Sequence, residues 1–199
     1  MKKIYVMCIG VILASTSLTA NAQAVQQGSV VIDGYYGWGS LSKAFLKSIT
    51  DNSAAKISSL GPIGARLEYM ASDKIGVGFD FNYTDNKVTW NDKPTDSSAT
   101  YSYEYNVTRV RFMPRMNIHF GGNENFDSYF GVAAGYRSIT RSFSSNDPDY
   151  TGGTTEGVNP LAMRLALGAR YFFTDNFGLN MEFGLGGGYM IHAGVSAKF

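Results

Sequence analysis

Residues 75–83 read Ile-Gly-Val-Gly-Phe-Asp-Phe-Asn-Tyr, in which large apolar or aromatic side chains alternate with glycine or polar residues without exception. Successive side chains of a β-strand point to opposite faces, so this segment carries one apolar face and one polar face. The pattern predicts a strand over 75–83 that separates an apolar phase from a polar interior.

Seven further segments show the same alternation and predict a sheet of eight antiparallel strands. They are 29–38, 62–70, 101–120, 129–139, 161–171, 177–185 and 189–199. In the last segment, Tyr189 is assigned to the apolar face together with Ile191 and Val195. In segment 101–120 the phase of the apolar residues reverses near 106–109. This reversal predicts either a β-bulge or a strand that leaves the bilayer and continues outside it.

The connections between these segments alternate in length. Short turns are predicted at 71–74, 121–127 and 174–176, and long loops at 39–60, 84–100 and 140–160. Short periplasmic turns and long extracellular loops are typical of a transmembrane β-barrel. The sequence therefore predicts an all-β fold, an eight-stranded antiparallel transmembrane up-and-down β-barrel. The alternative of a secreted lipocalin-like barrel is disfavoured, because such proteins place apolar residues inside and charges outside.

The N-terminus has the layout of a secretory signal peptide: Lys2 and Lys3, an apolar run over 4–14, and small or polar residues over 15–22. We expect a signal peptide at 1–22 and a barrel domain at 23–199, with cleavage after Ala24 as an alternative. A membrane-anchoring helix is disfavoured, because the apolar run is shorter than the roughly 20 residues that span a bilayer. The single cysteine, Cys8, lies in this leader, so the mature chain has no disulfide framework.

The charge balance gives no reason to expect nucleic acid as a partner. The chain has 17 Lys and Arg, two of them in the leader, against 16 Asp and Glu. No motif for a metal or another cofactor stands out, and we expect none.

Aromatic residues fall at the predicted ends of the strands, where side chains of this kind favour the membrane interfaces. At the outer ends lie Tyr36, Trp38, Tyr83 and Tyr136, and at the inner ends Tyr69, Phe120, Tyr171, Phe177 and Phe199. We expect these belts to contact lipopolysaccharide and phospholipid.

Two C-terminal stretches carry a family resemblance. The ending His192-x-Gly194-x-x-Ala197-x-Phe199 resembles the signal by which outer-membrane proteins are recognised for assembly, with Gly194 and Phe199 as its main residues. The stretch 168–179, Gly-Ala-Arg-Tyr-Phe-Phe-Thr-Asp-Asn-Phe-Gly-Leu, resembles two strands and a tight turn of the OmpA/OmpX-like outer-membrane β-barrel superfamily. This resemblance implies a multi-pass protein of the outer membrane, exported to the periplasm and inserted by the outer-membrane assembly machinery.

The polar face of the predicted strands collects many charged residues. They are Asp33, Arg66, Glu68, Asp80, Arg109, Arg111, Arg115, Arg137, Arg164, Arg170, Glu182 and Lys198. An eight-stranded barrel is just wide enough for side chains to fill it, and buried charges require partners. We expect a network of ion pairs that fills the lumen. The alternative is an anion-selective path or an anion pocket, because cations are in excess.

The function expected from these features is structural or loop-mediated binding in the bacterial envelope, without catalysis. An extracellular ligand is expected to contact the loops 39–60, 84–100 and 140–160, with Trp90, Tyr101 and Tyr103 as candidate interaction residues. A narrow porin-like channel for small anionic solutes is the first alternative. A lipid A-modifying enzyme is the second, but the two histidines, His119 and His192, lie in no nucleophile–base arrangement.

Overall fold

The computed structural model describes residues 23–38, 56–93, 99–157 and 159–199. The predicted signal peptide and most of the first predicted loop lie outside these ranges. Within them, no helix combines the length and apolarity that crossing a bilayer requires.

Nine strands make up the described fold. They are β1 (Val30–Trp38), β2 (Lys56–Ser72), β3 (Ile75–Asp92), β4 (Tyr101–Gly122), β5 (Phe126–Ser145), β6 (Gly153–Glu156), β7 (Leu161–Phe172), β8 (Phe177–Gly186) and β9 (Ile191–Lys198). All pairings are antiparallel, and β1 pairs with β9, so the ring closes through eight strands, while the short β6 pairs only with β5. The predicted eight-stranded up-and-down barrel is confirmed.

The period-2 pattern of the sequence becomes the two faces of the barrel wall. Along β3, Phe79 and Phe81 are 46% and 45% exposed, whereas Asp80 between them is fully buried in the interior. A row of exposed apolar side chains on a wall whose inner face is charged is stable only where hydrocarbon covers the outer surface. The exposed row is therefore the lipid-facing surface.

The turn between β8 and β9 corrects one prediction. Gly186, Gly187 and Gly188 have positive φ angles of 81°, 64° and 94°, a conformation that favours glycine. This turn ends the period-2 alternation, and β9 begins only at Ile191. Tyr189, which the sequence pattern assigned to the lipid face, is instead 2% exposed and points into the lumen.

The phase reversal in β4 comes from a change of environment and not from a bulge against β3. The register between β3 and β4 runs without interruption from Ile75↔Ile118 to Asp92↔Tyr101. A bulge occurs instead in β2, where the register with β3 shifts between Leu60 and Ile63. Of the two predicted alternatives, the strand that continues outside the bilayer is therefore correct.

Much of the predicted long loops is strand. We call the extracellular continuation of the wall the outer sheet; it comprises residues 56–60, 84–92, 101–109 and 138–145 together with β6. Its inward face carries Val88, Trp90, Val107 and Phe143, and its outward face, apart from Leu60, is polar, as in a water-soluble sheet. On the opposite side of the barrel, the strands β1, β7, β8 and β9 end near the aromatic belt, so within the described residues the wall is taller on the side of β2 to β5.

The periplasmic end of the lumen is closed by a small apolar cluster. It consists of Ala24, Val25, Val31, Met70 and Phe172, all at most 2% exposed. The described N-terminal segment therefore packs into the inner end of the barrel.

Candidate functional site

The middle of the lumen is filled by ion pairs, and Arg170 on β7 connects three carboxylates there. Its guanidinium lies 2.6 Å from Glu68, 2.8 Å from Asp33 and 3.2 Å from Asp127. Arg170 is 1% exposed. A guanidinium buried this deeply requires such partners, because an unpaired charge in the interior costs several kcal/mol.

A second group of ion pairs surrounds Glu182 on β8. Three guanidinium groups contact its carboxylate: Arg66 at 2.9 Å, Arg115 at 2.6 Å and Arg164 at 2.8 Å. Arg66 also reaches Asp33 at 3.3 Å, which links this group to the carboxylates around Arg170. We call the combined set of Asp33, Arg66, Glu68, Asp80, Arg115, Asp127, Arg164, Arg170 and Glu182 the central network.

Two buried tyrosines complete the central network, each opposite a glycine on the neighbouring strand. Tyr129 accepts a hydrogen bond from Arg66 at 2.7 Å and pairs with Gly168, and Tyr35 donates to Asp80 at 2.5 Å and pairs with Gly64. A Cβ atom at either glycine would overlap the tyrosine ring. The absence of a side chain at these glycines therefore makes room for the rings inside the lumen.

Three residues of this region were not among the lumen residues predicted from the sequence. Asp127 was assigned to a turn, but β5 already begins at Phe126 and directs Asp127 inward. His119 lies between carboxylates, at 2.7 Å from Asp127 and 3.0 Å from Glu68. Tyr129 begins the predicted strand 129–139 but was not among the predicted lumen residues. Tyr129 and Gly131 both point inward, and extending this alternation by two residues towards the N-terminus would have included Asp127.

Lys198 stands apart from the central network, at the periplasmic end. Its amino group donates a hydrogen bond to the carbonyl of Ala24 at 2.6 Å and lies 4.8 Å from the centre of the Phe172 ring. Of the predicted assembly-signal residues, Gly194 pairs with Tyr35, and Phe199 is 70% exposed at the end of the wall.

The remaining predicted lumen residues gather at the outer mouth, where a fourth arginine joins them. Arg111 on β4 lies directly opposite Arg137 on β5, and Arg109 lies opposite Ile139, whose neighbours two positions away are Arg137 and Arg141. We call Arg109, Arg111, Arg137 and Arg141 the outer arginine cluster. Like charges directly opposite each other on a sheet destabilise it, so this arrangement lowers the stability of the barrel when no counter-ion is bound.

The polar contacts of the outer arginine cluster are few. Arg111 donates to the Asn82 side chain at 3.0 Å, and Arg137 donates to the carbonyl of Asn159 at 3.1 Å. Nη1 of Arg109 is buried and has no hydrogen-bond partner among the described residues. Among the same residues, no carboxylate lies within 4.0 Å of any of the four guanidinium groups, unlike those of the central network.

Above this cluster, aromatic side chains cover the inward face of the outer sheet. The Trp90 and Tyr103 rings stack with centroids 5.7 Å apart, and Phe143 meets Trp90 edge-on at 5.7 Å and Tyr150 at 4.7 Å. A hydrogen bond to the Asp147 carboxylate raises the pKa of Tyr103 to about 12. We call Trp90, Tyr103, Phe143 and Tyr150 the aromatic face. Of the predicted interaction residues, Trp90 and Tyr103 belong to it, whereas Tyr101 lies at the end of β4 opposite Asp92.

The groups considered for catalysis are engaged elsewhere. The Ser196 hydroxyl donates to Asp33 at 2.6 Å, and the His192 ring stacks on Tyr35 with centroids 4.2 Å apart. Neither histidine hydrogen-bonds to a serine in the described part of the chain. No group of three or more His, Cys, Asp or Glu in that part has the arrangement of a metal site.

A family model described as "Outer membrane protein beta-barrel domain" matches residues 10–199. The chain belongs to this family. It is accordingly an outer-membrane protein, as its lipid-facing wall requires. No curated protein matches the sequence.

Three solved structures illustrate the range of similar folds. The N-terminal β-barrel domain of Pseudomonas aeruginosa OprF is 15% identical, covering 88% of this chain and 100% of that one, with a TM-score of 0.47. P. aeruginosa OprG is 12% identical, with coverages of 90% and 99% and a TM-score of 0.49. Ail of Yersinia pestis, solved with the heparin analogue sucrose octasulfate, is 13% identical, with coverages of 87% and 99% and a TM-score of 0.45.

Proposed function

We propose that this protein is a non-catalytic surface-binding component of the outer membrane, which holds an extracellular ligand against the inward face of its outer sheet. The observation that carries the proposal is that, above the bilayer, the apolar side chains lie on the inward face of the wall instead of the outward face. Up to the outer arginine cluster the inward face is charged, whereas above this cluster it bears Trp90, Tyr103 and Phe143.

The aromatic face has the chemistry of a binding surface. Its side chains are only half-buried, and Tyr150 is 41% exposed. Aromatic rings provide large contact areas at a small cost in conformational entropy, because each has only two side-chain torsions. Concentrated on one face of a rigid sheet, they favour recognition over a purely structural role.

The filled lumen supports binding in preference to transport. The central network and the periplasmic apolar cluster occupy successive levels of the barrel, and their larger members, such as Arg66, Arg164, Arg170 and Phe172, are at most 2% exposed. A solute path would have to break several buried ion pairs, each of which is costly to separate. A narrow anion channel is therefore the second candidate function, supported only by the arginine excess at the outer mouth.

Intrinsic fluorescence tests the binding proposal directly, because the chain has two tryptophans. In a Trp38→Phe background, Trp90 is the only reporter, and it lies in the aromatic face. We expect its emission to change when the detergent-refolded protein meets a panel of heparin-derived and dextran oligosaccharides. Tyr103→Ala should abolish the response, whereas Tyr136→Ala, which alters a 60% exposed lipid-belt residue, should preserve it.

Planar-bilayer recording provides the second arm of the test. We expect no current steps above background from the purified protein. Discrete steps in the wild type, or an unresponsive Trp90 across the whole panel, would contradict the proposal.

A further inference from the structure

The outer arginine cluster is a candidate site in its own right, because its four arginines are neighbours on β4 and β5 and none of them has a carboxylate partner in the described part of the chain. The register places Arg111 against Arg137, and Arg109 diagonal to both Arg137 and Arg141. Directly opposed residues have Cβ atoms roughly 5 Å apart and diagonal ones roughly 7–8 Å apart. The four cations therefore share a region about the size of one small ligand.

Uncharged hydrogen-bond donors extend the same region along β3. The side-chain nitrogens of Asn82 and Asn86 and the hydroxyl of Thr84 are buried and have no hydrogen-bond partner among the described residues. These three residues are at most 2% exposed. Thr84 lies directly opposite Arg109, and Asn82 directly opposite Arg111. Buried polar groups without partners cost roughly 1–3 kcal/mol each, so their concentration at one place calls for an acceptor.

Among the described residues, no acidic side chain on the inward faces of the strands that carry this region compensates its charge. On the inward faces of β3, β4 and β5, the described residues at this level are Asn, Thr, Arg, Val, Ile and Gly. Asp85 and Glu156 lie nearest in height, and both are on the outward face, because Asp85 follows the inward Thr84 and Glu156 pairs with the outward Thr140. Glu104 lies five residues above Arg109 on β4 and pairs with Lys87 at 2.8 Å on the outward face. The region is thus rich in donors and positive charge and poor in acceptors.

We propose that the outer arginine cluster, with Asn82, Thr84 and Asn86, binds an anion that carries at least two phosphate or sulfate groups. This proposal names the ligand class for the surface-binding function above and rests on it for the direction of entry. Planar guanidinium groups bind such oxyanions through paired hydrogen bonds, and several of them match a multiply charged ligand better than a single carboxylate. The central network closes the lumen beneath, so the ligand enters from the extracellular side.

Two probes separate the sources of this chemistry: inorganic tripolyphosphate for a free phosphate chain and a heparin-derived tetrasaccharide for a sulfated glycan. Calorimetric titration of the full folded chain in neutral detergent should show saturable binding of at least one probe, weakened by added salt. Preference for the tetrasaccharide indicates a surface glycan, and preference for tripolyphosphate indicates a phosphorylated ligand.

Matched variants identify the site. Arg109→Gln should weaken binding about tenfold, and Arg109→Gln combined with Arg137→Gln about a hundredfold, as expected for charge-assisted hydrogen bonds. Lys87→Gln removes a cation at the same height on the outward face and should leave the affinity unchanged. Heat-modifiable gel mobility checks that each variant is folded.

Two results would overturn the inference: no saturable binding of either probe, or equal losses in Arg109→Gln and Lys87→Gln. The outcome is separate from that of the binding proposal. If Tyr103→Ala leaves Trp90 emission responsive while the arginine variants lose the anion, the site stands and the role of the aromatic face fails. If the arginine variants bind like the wild type while Tyr103→Ala does not, the role of the aromatic face stands and the arginine site fails.

Discussion

The middle and the outer mouth of the lumen use the same side chain in opposite ways. In the middle, each buried arginine has at least one carboxylate partner, as Arg170 has in Asp33, Glu68 and Asp127. At the mouth, Arg111 faces Arg137 across the sheet. Buried and paired charges hold the wall together, whereas unpaired like charges repel each other. A surplus of arginine in a barrel therefore indicates a function only once the positions and partners of these arginines are known.

Removing Glu182 should have the largest effect, because three guanidinium groups share its carboxylate. We expect Glu182→Ala to lower the free energy of unfolding by about 3–5 kcal/mol, the cost of leaving buried charges without a partner. Urea titration in lipid vesicles measures the change. Glu104→Gln breaks the exposed pair with Lys87 and should cost about 0–1 kcal/mol. Similar losses in both variants would mean that burial does not distinguish the two environments.

The tyrosine–glycine pairs of the middle region should tolerate no added methyl group. Gly168→Ala places a Cβ atom in the Tyr129 ring, and such overpacking costs about 1–3 kcal/mol. Gly34→Ala is the matched control, because its Cβ would meet no atom nearer than Val195 Cγ2 at 4.0 Å. The same urea titration compares the two, and a neutral Gly168→Ala would show that Tyr129 moves without loss.

At the mouth, removing a charge should stabilise the barrel. Without ligand, Arg109→Gln relieves repulsion from the neighbouring arginines and should raise the free energy of unfolding by about 0.5 kcal/mol. Tripolyphosphate should stabilise the wild type more than this variant, because only a ligand that binds the folded state shifts the equilibrium. A destabilised Arg109→Gln protein would assign the cluster a structural role.

The smallest expected effect is a pH dependence of stability that arises from Tyr103 in the aromatic face. The hydrogen bond to Asp147 raises the pKa of Tyr103 to about 12, above its ordinary value of 10.0. The folded state therefore holds this proton more tightly than the unfolded state. The resulting stabilisation is complete below pH 10 and disappears as the pH rises through about 12. Ultraviolet difference titration of wild type against Tyr103→Phe measures the pKa, and Asp147→Asn should return it towards 10.

The strand pattern was predictable where hydrocarbon sets the outer face. Residues 75–83 alternate because every second side chain meets lipid, and the structure follows that alternation. Beyond Tyr83 water replaces lipid outside, and the apolar residues Val88 and Trp90 move to the inward face. Apolar residues on one fixed face therefore end the predicted strand at residue 83, whereas β3 continues to Asp92.

The sequence predicted which charged residues point into the lumen, but not which of them lie next to each other. Alternation assigned Arg66, Arg109 and Arg170 to one inward face without indicating their heights relative to the carboxylates. That height depends on the stagger between strands, which only the register reveals. The face of Tyr189 was predicted wrongly for another reason. The three-glycine turn before it breaks the alternation on which the prediction depended.

The one-sided height of the wall gives the protein a front and a back within the plane of the membrane. Within the described residues, its aromatic face lies on the tall side and is turned towards the short rim formed by β7, β8, β9 and β1. Rotation about the barrel axis therefore changes what this face meets. In a crowded membrane, the neighbours on the short side decide how much of the face a ligand can reach.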